Sequence, residues 1–343
     1  MMQHYLIANH CIGVSGETLC TAIEQIPGFK TFLTQEPAQY FIQETTEEVT
    51  GILNEQYTFA YEDVKGSFGK TETGNYMQLT PENGESLWVN CVQGSNQAMI
   101  KGNFSPYLLR FGLWIAYGLL TLNNSTVAIH SSCIIYKDKA VLFLGESGTG
   151  KSTHTRLWRE HIAGAVLLND DSPIIRIENG KAYAYGSPWS GKTPCYKQER
   201  YELKGCVRLS QSPYNAIKKL SVLQGYGAIH PSCPPEFAYP EIFYRTKRGE
   251  TLHCHLNHRL SPSKHIDKLL RVLRCTHRPE PAADSSGHND YMRIHIILTD
   301  SYLIYTIVQI SLLLPSTELS VYILSPSPVL TYRHLSDIHH LSA

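Results

Sequence analysis

VLFLGESGTGKST, residues 141–153, sets the fold class predicted for this chain. Its first letters are an apolar run typical of a buried strand. The glycine-rich remainder fits the pattern G-x-x-x-x-G-K-[ST], with Gly145, Gly150, Lys151 and Ser152 at the defining positions. The residues that follow are predicted to be helical. A strand, a glycine-rich loop and a helix in this order predict an α/β nucleotide-binding core.

Phosphate binding explains why these residue types are needed at this spacing. Glycines let backbone N–H groups turn towards phosphate oxygens, and the helix that begins near Lys151 adds the positive end of its dipole. Lys151 is predicted to reach the β and γ phosphates of ATP, and Ser152 to offer its hydroxyl to Mg²⁺. A chance glycine loop is the alternative. We predict that the ATP-binding residues are Gly145, Glu146, Ser147, Gly148, Thr149, Gly150, Lys151, Ser152 and Thr153.

A pair of aspartates follows the loop at the end of another apolar run. AVLLNDD, residues 165–171, reads as a buried strand that ends in Asp170 and Asp171. Ligands of α/β proteins bind at the carboxyl ends of such strands. One carboxylate can hold Mg²⁺ while the other accepts a proton from an attacking hydroxyl. The alternative is a solvated turn, DDSP, with Asp171 capping the backbone.

These residues resemble the catalytic domain of HPr kinase/phosphorylase and its relatives, a group akin to the ATP-dependent phosphoenolpyruvate carboxykinases. Three features come in the family's order. His130 closes the strand in VAIHSSCIIY, GESGTGKST is similar to the family's GDSGxGKS, and NDD resembles the family's DD. The similarity covers roughly residues 105–230.

The resemblance implies an α/β core of HPr-kinase type and a role for each residue. Asp170 would be the base that takes the proton from the acceptor hydroxyl, and Asp171 would hold the metal with Ser152. His130 would lie beside the transfer site, where Lys151 stabilises the transferred charge. Without the resemblance, His130 reads as a structural histidine at the end of a strand.

The function predicted on this basis is an ATP-dependent kinase that phosphorylates a serine-like hydroxyl. A non-catalytic nucleotide-gated switch, or a kinase for a ribosomal peptide or free amino acid, remains an alternative. No stretch resembles the family's signature for dephosphorylating a protein substrate. GSPWSGKTPCY, residues 186–196, instead looks like a segment of HPr-kinase-related proteins of unassigned substrate. Within it Trp189 either stacks on a base or is buried, and Lys192 of this segment, or Arg208 further along the chain, can neutralise transferred charge.

Three regions are predicted along the chain. Residues 1–100 form a smaller, mainly β N-terminal unit with strands such as TFLTQ (residues 31–35). Residues 101–240 form the kinase core, which opens with an apolar helix (residues 105–122) buried between the two units. Residues 241–343 are atypical, because prolines interrupt them and ten of the sixteen histidines fall there. We hypothesise that this last region is unpacked or out of frame, and that its apolar tail suits no strand pair. The alternative is an extension with its own small fold.

Local signals place further elements in the core. Hairpin turns are predicted between Tyr136 and Lys139 and at Asn179-Gly180. ELKGCVRL (residues 202–209) is predicted to be a strand, and NAIKKLSVL (residues 215–223) a helix.

Composition excludes several function classes. Thirty basic and thirty acidic side chains leave no field that favours nucleic acid or a membrane surface. Nine cysteines, an odd number without a CxxC pair, favour reduced thiols in a cytoplasmic protein.

We find neither a signal peptide nor an apolar run suited to span a membrane. HCHLNH (residues 253–258) matches no common zinc spacing, so a metal site there is discounted. The sequence leaves open which molecule accepts the phosphoryl group and whether the protein forms a homo-oligomer.

Overall fold

The computed structural model describes residues 2–61, 63–210, 216–234 and 320–325. Two β-sheets with four α-helices make up this part of the chain. The predicted mixed α/β class is therefore confirmed. The HPr-kinase type of core and the boundaries at residues 100 and 240 stay predictions.

The first sheet contains the eight strands that lie within residues 2–102, in the order β1-β2-β3-β8-β7-β6-β5-β4. A helix, α1, lies between β2 and β3 in the chain. Along β7 buried and half-exposed residues alternate strictly, so one face of the sheet packs on the core. The strands and helix are β1 (Met2–Ile7), β2 (His10–Ser15), α1 (Glu17–Glu24), β3 (Tyr40–Glu44), β4 (Ile52–Tyr61), β5 (Val64–Thr71), β6 (Gly74–Pro81), β7 (Leu87–Val92) and β8 (Gln97–Gly102).

The predicted strand TFLTQ is wrong. A 3₁₀ turn, Phe29–Phe32, occupies its first half. Phe29 and Phe32 are both buried, and a spacing of three residues puts them on one side of such a turn. The turn therefore buries both aromatic side chains on one side, whereas a strand would place successive side chains on alternate faces.

Helix α2 (Pro106–Thr121) connects the two sheets. Pro106 is its first residue, one position after the start of the predicted helix, and the Ser105 side chain makes no capping hydrogen bond. The apolar cluster around α2 includes strand residues of the first sheet together with Ala128 (β9), Tyr185 (β14) and Trp189, which follow α2 in the chain. This packing agrees with the predicted burial of the helix between two units.

The second sheet has nine strands, seven of which follow the order β12-β10-β11-β15-β14-β13-β9. Both predicted hairpin turns are present, since Tyr136 pairs with Lys139 and Glu178 with Lys181. The elements are β9 (Thr126–Ala128), β10 (Ser131–Tyr136), β11 (Lys139–Leu144), α3 (Lys151–His161), β12 (Val166–Asp171), β13 (Ile174–Glu178), β14 (Lys181–Tyr185), β15 (Arg200–Leu209), β16 (Ala216–Lys219), α4 (Val222–Ile229) and β17 (Ser320–Ser325).

Strand β10 sets the relative level of the glycine-rich loop and the aspartate pair. It runs antiparallel to both β11 and β12, so the last residues of those two strands meet at one edge of the sheet. Ser131 lies opposite Leu144 on one side and opposite Asp171 on the other. The loop that begins after Leu144 therefore starts level with Asp171.

Two predictions about the end of the core are wrong. Ala216–Lys219 is strand β16 rather than helix, and helix begins only at Val222–Ile229. Strand β17 supplies the reason, because it pairs antiparallel with β16 and parallel with β15. The tail thus does contain a paired strand, in a run of six residues that lies between Pro315 and Pro326.

The hypothesis that residues 241–343 are unpacked concerns positions that, apart from β17, lie outside the described residues. The discounted zinc site at residues 253–258 lies outside them too. In the described ranges the cysteines are free thiols, which agrees with the prediction of reduced cysteines: Cys11, Cys20, Cys91, Cys133, Cys195, Cys206 and Cys233.

Among the described helices, none combines the length and the apolar character that crossing a membrane would require.

Candidate active site

The glycine-rich loop, residues 145–150, connects β11 directly to α3. Gly145 has a φ of 151°, and a Cβ atom there would lie 2.5 Å from the Thr149 hydroxyl oxygen. Gly150 has a φ of 95° and immediately precedes the first helical residue, Lys151. The loop therefore depends on glycine where it leaves the strand and where it enters the helix.

Lys151 folds back over this loop. Its ammonium donates hydrogen bonds to the carbonyl oxygens of Gly145, at 2.8 Å, and Glu146, at 3.1 Å. Partial burial lowers the pKa of Lys151, while the nearby carboxylates of Asp171 and Glu146 act in the opposite direction. The cation is thus held at the loop by neutral carbonyls, which a charged phosphate oxygen can replace as a stronger acceptor.

Ser152 joins the first turn of α3 to the end of β12. Its hydroxyl donates a hydrogen bond to Asp170 Oδ1 at 3.1 Å. The other carboxylate oxygen, Oδ2, accepts the backbone N–H of Thr193 at 3.3 Å. Asp170 is 4% exposed, whereas Ser152 is exposed. The Asp170 carboxylate is therefore held by Ser152 on one oxygen and by Thr193 on the other, and the exposed Ser152 hydroxyl lies beside it.

Asp171 faces two cationic or basic side chains. Its Oδ1 lies 3.7 Å from His130 Nε2 and its Oδ2 lies 3.9 Å from an Arg110 nitrogen. Burial raises the pKa of Asp171, and His130 and Arg110 partly oppose that rise. For His130, in contrast, burial lowers the pKa, because it disfavours the charged imidazolium, and Lys151 lowers it further. The result is a carboxylate more basic than usual beside a neutral imidazole.

The loop of residues 186–196 supports the aspartates from the other side. The backbone N–H of Gly191 donates to the carbonyl oxygen of Asp170, and Ser190 forms an isolated β-bridge with Asp171. A Cβ atom at Gly191 would lie 2.8 Å from that Asp170 oxygen. Glycine is therefore needed here for close approach, not for its freedom in φ.

The buried side-chain amide of Asn169 in β12 holds the loop of residues 186–196 against this strand. Asn169 Nδ2 donates to the backbone oxygen of Ser187 at 3.3 Å and to that of Trp189 at 3.1 Å. Asn169 Oδ1 accepts the N–H of Ser172 at 2.9 Å. Because Asn169 is fully buried, losing these partners would leave a costly unsatisfied amide next to the aspartates.

Trp189 is structural. It is 3% exposed, its indole N–H donates to the Arg110 carbonyl at 3.0 Å, and its ring packs against Phe29 and Tyr117. Of the two interpretations from the sequence, burial is confirmed and stacking on a base is wrong. Lys192 of the same loop is exposed.

The structure brings together the predicted residues of the loop, the aspartate pair and His130. Sequence reasoning missed Arg110, Asn169 and the close approach at Gly191. A signal for Arg110 was present, since it is the one charged side chain in the apolar helix α2. A charge in such a place usually has a partner.

The predicted metal residues meet one physical requirement of a Mg²⁺ site. A serine hydroxyl and a carboxylate are hard oxygen donors, and Mg²⁺ typically takes one or two carboxylates together with phosphate oxygens and water. Within the described residues, no group of three or more His, Cys, Asp or Glu side chains could hold a metal ion alone. The donor set fits a metal that arrives with a nucleotide.

Comparison with known proteins adds little. No protein-family profile matches the chain, and no curated protein sequence matches it. The solved structure of the HPr(Ser) kinase/phosphatase from Coxiella burnetii is similar to part of it, with 16% identity and a TM-score of 0.21. The match covers 27% of this chain and 77% of that one. At this TM-score the likeness decides neither fold nor function, and the resemblance to that family stays a prediction.

Proposed function

We propose that this protein is an ATP-dependent kinase that transfers the γ-phosphoryl group to a serine-like hydroxyl. The hydrogen bond from Ser152 to Asp170 carries the proposal, because it places a carboxylate at the start of a helix that follows a glycine-rich loop. A nucleotide phosphate and its Mg²⁺ need these groups together.

The geometry of the loop supports phosphate binding. The N–H groups at the start of α3 and the positive end of its dipole favour an anion. Lys151 exchanges its carbonyl partners, Gly145 and Glu146, for the β and γ phosphates when ATP binds. Ser147 of the loop and Thr153 in the first turn of α3 are exposed, so this side leaves room for the nucleotide.

Ser152 and Asp170 would hold Mg²⁺, directly or through water. When bound, Mg²⁺ supplies positive charge that neutralises the phosphates and orients them for transfer. The hydrogen bond from Thr193 and the buried Asn169 amide keep the Asp170 carboxylate at the height of the loop. This assignment exchanges the roles that the family resemblance implies for Asp170 and Asp171.

Asp171 then acts as the base. The acceptor hydroxyl loses its proton to the Asp171 carboxylate, its oxygen bonds to the γ phosphorus, and the bond from that phosphorus to the β-phosphate oxygen breaks, which leaves ADP. A raised pKa suits this role, since proton transfer is best when the base is closer in pKa to the working pH. Neutral His130 and the Arg110 guanidinium orient the carboxylate from either side.

Phosphoryl transfer to defined acceptors tests the proposal. The protein is incubated with γ-labelled ATP and free serine, a serine peptide or HPr, with Mg²⁺ or with excess chelator. We expect label on one acceptor hydroxyl in the presence of Mg²⁺ and none with chelator. ATP binding without any loss of label would instead support a nucleotide-gated switch.

A further inference from the structure

Arg208 reaches the glycine-rich loop from the neighbouring strand. Strand β15 runs parallel to β11, and Arg208 lies opposite Leu144, the residue just before the loop. Its side chain is only 20% exposed. A guanidinium thus stands at the level of the loop although it is 57 positions beyond Lys151 in the chain (208 − 151).

Two contacts fix the Arg208 guanidinium. One terminal nitrogen donates to the carbonyl oxygen of Ala228 in α4 at 3.1 Å. The other donates to Glu146 Oε1 at 3.0 Å. The first contact anchors the cation to the core, while the second is to a side chain of the loop that is 68% exposed and therefore able to move away.

Both cations at the loop thus have partners from the loop itself. Lys151 is bound to carbonyls of Gly145 and Glu146, and Arg208 is bound to the Glu146 carboxylate. Two cations that contact the same loop residue, Glu146, repel each other, and a polyanion between them would offset that repulsion.

We propose that Arg208 is a ligand of the γ-phosphate of ATP, and that Glu146 occupies its guanidinium until the nucleotide displaces it. This inference rests on the proposed function, since it needs ATP in the loop. A guanidinium presents paired donors that match phosphate oxygens, and a hydrogen bond between two charged groups is stronger than one between neutral groups. The anchor to Ala228 keeps the guanidinium in place after Glu146 leaves.

Calorimetric titration of the full chain with Mg·ATP and with Mg·ADP tests the assignment. Arg208→Gln should weaken ATP binding about ten- to hundredfold, as expected for a lost charge-assisted hydrogen bond, and change ADP binding less than about twofold. Arg156→Gln is the matched control, because Arg156 pairs with Glu160 on the exposed face of α3. It should change neither affinity by more than about twofold.

Glu146→Gln tests the same idea from the other partner. It removes the competing carboxylate and leaves Arg208 in place, so ATP should bind about two- to fivefold more tightly. This arm decides the question if Arg208→Gln proves unstable in a thermal melt. Unchanged or weaker ATP binding in Glu146→Gln would overturn the proposal.

The result also separates this inference from the function it depends on. If the wild-type protein binds ATP and Lys151→Ala does not, yet Arg208→Gln behaves like Arg156→Gln, only the role of Arg208 is overturned. An equal loss of ADP and ATP affinity in Arg208→Gln would likewise overturn the γ-phosphate assignment. If the wild-type protein binds no ATP, the proposed function itself fails.

Discussion

The hydroxyl of Ser152 donates a hydrogen bond to the Asp170 carboxylate over 3.1 Å. Ser152 lies in α3, the helix that follows the glycine-rich loop, and Asp170 lies in β12, the strand that ends in the aspartate pair. The bond therefore joins these two elements. Asp171, the next residue, instead faces His130 and Arg110. Adjacent carboxylates therefore have different partners, and this difference is the basis for giving them different roles.

The two aspartates should respond differently to neutralisation. Asp170→Asn should raise the Mg²⁺ concentration needed for half-maximal transfer, because it removes a charged metal ligand. Asp171→Asn should cut the transfer rate at saturating Mg²⁺ by at least about a hundredfold and leave Mg·ATP affinity nearly unchanged, because it removes the base. Rates measured against Mg²⁺ concentration distinguish them. The reverse pattern would restore the division implied by the family resemblance.

Lys151→Ala should weaken Mg·ATP binding by at least about a hundredfold, since it removes the cation that faces the phosphates. Lys181→Ala, on the exposed side of the hairpin between β13 and β14, is the control and should bind ATP normally. Calorimetry on both variants measures the difference. Equal affinities would mean that the loop does not bind the phosphates.

Gly191→Ala should slow transfer about tenfold with little change in ATP affinity. Its new methyl group would press on the Asp170 carbonyl at 2.8 Å and displace the aspartate pair, and misplaced catalytic groups lower rate more than binding. Gly227→Ala adds the same methyl group in α4, where no described atom beyond its chain neighbours and the backbone of its own helix lies within 4 Å, so it should be fully active. Equal rates in the two variants would show that the loop does not position the aspartates.

The acidic limb of the pH dependence of kcat/KM should depend on Arg110. Asp171 must be deprotonated to act as the base, and Arg110 favours that charged form. Arg110→Met removes this support, so the pKa of Asp171 rises further and the acidic limb of kcat/KM moves to higher pH, by about half to one pH unit. Arg156→Met should leave the limb in place. A limb that stays fixed or moves to lower pH in Arg110→Met would contradict Asp171 as the base.

Features that depend on local chemistry were predictable from the sequence. The hairpin at Asn179-Gly180 follows from residues that accept positive φ, and φ is 50° and 78° there. The strand before Gly145 and the helix from Lys151 follow from an apolar run and a glycine pattern. Each of these signals lies within a few residues of the element it predicts.

Features that depend on distant partners were not predictable. Strand β16 exists through pairing with β17, about a hundred residues later, so the segment AIKK was mistaken for helix. Arg110 lies in a helix 60 residues before Asp170 in the chain and reaches the aspartates only through the fold. The neighbours of the aspartates on β10, Ser132 for Asp170 and Ser131 for Asp171, likewise follow from strand register, which no spacing in the sequence reveals.

Single-turnover transfer from γ-labelled ATP tests the central claim most directly. Protein in excess over Mg·ATP is mixed with the candidate acceptors, and the fate of the label is followed over time for the wild-type chain and for Lys151→Ala. The account predicts that label leaves ATP with the wild-type protein and stays on ATP with the variant. Label that remains on ATP in both, or leaves at the same rate in both, would contradict it.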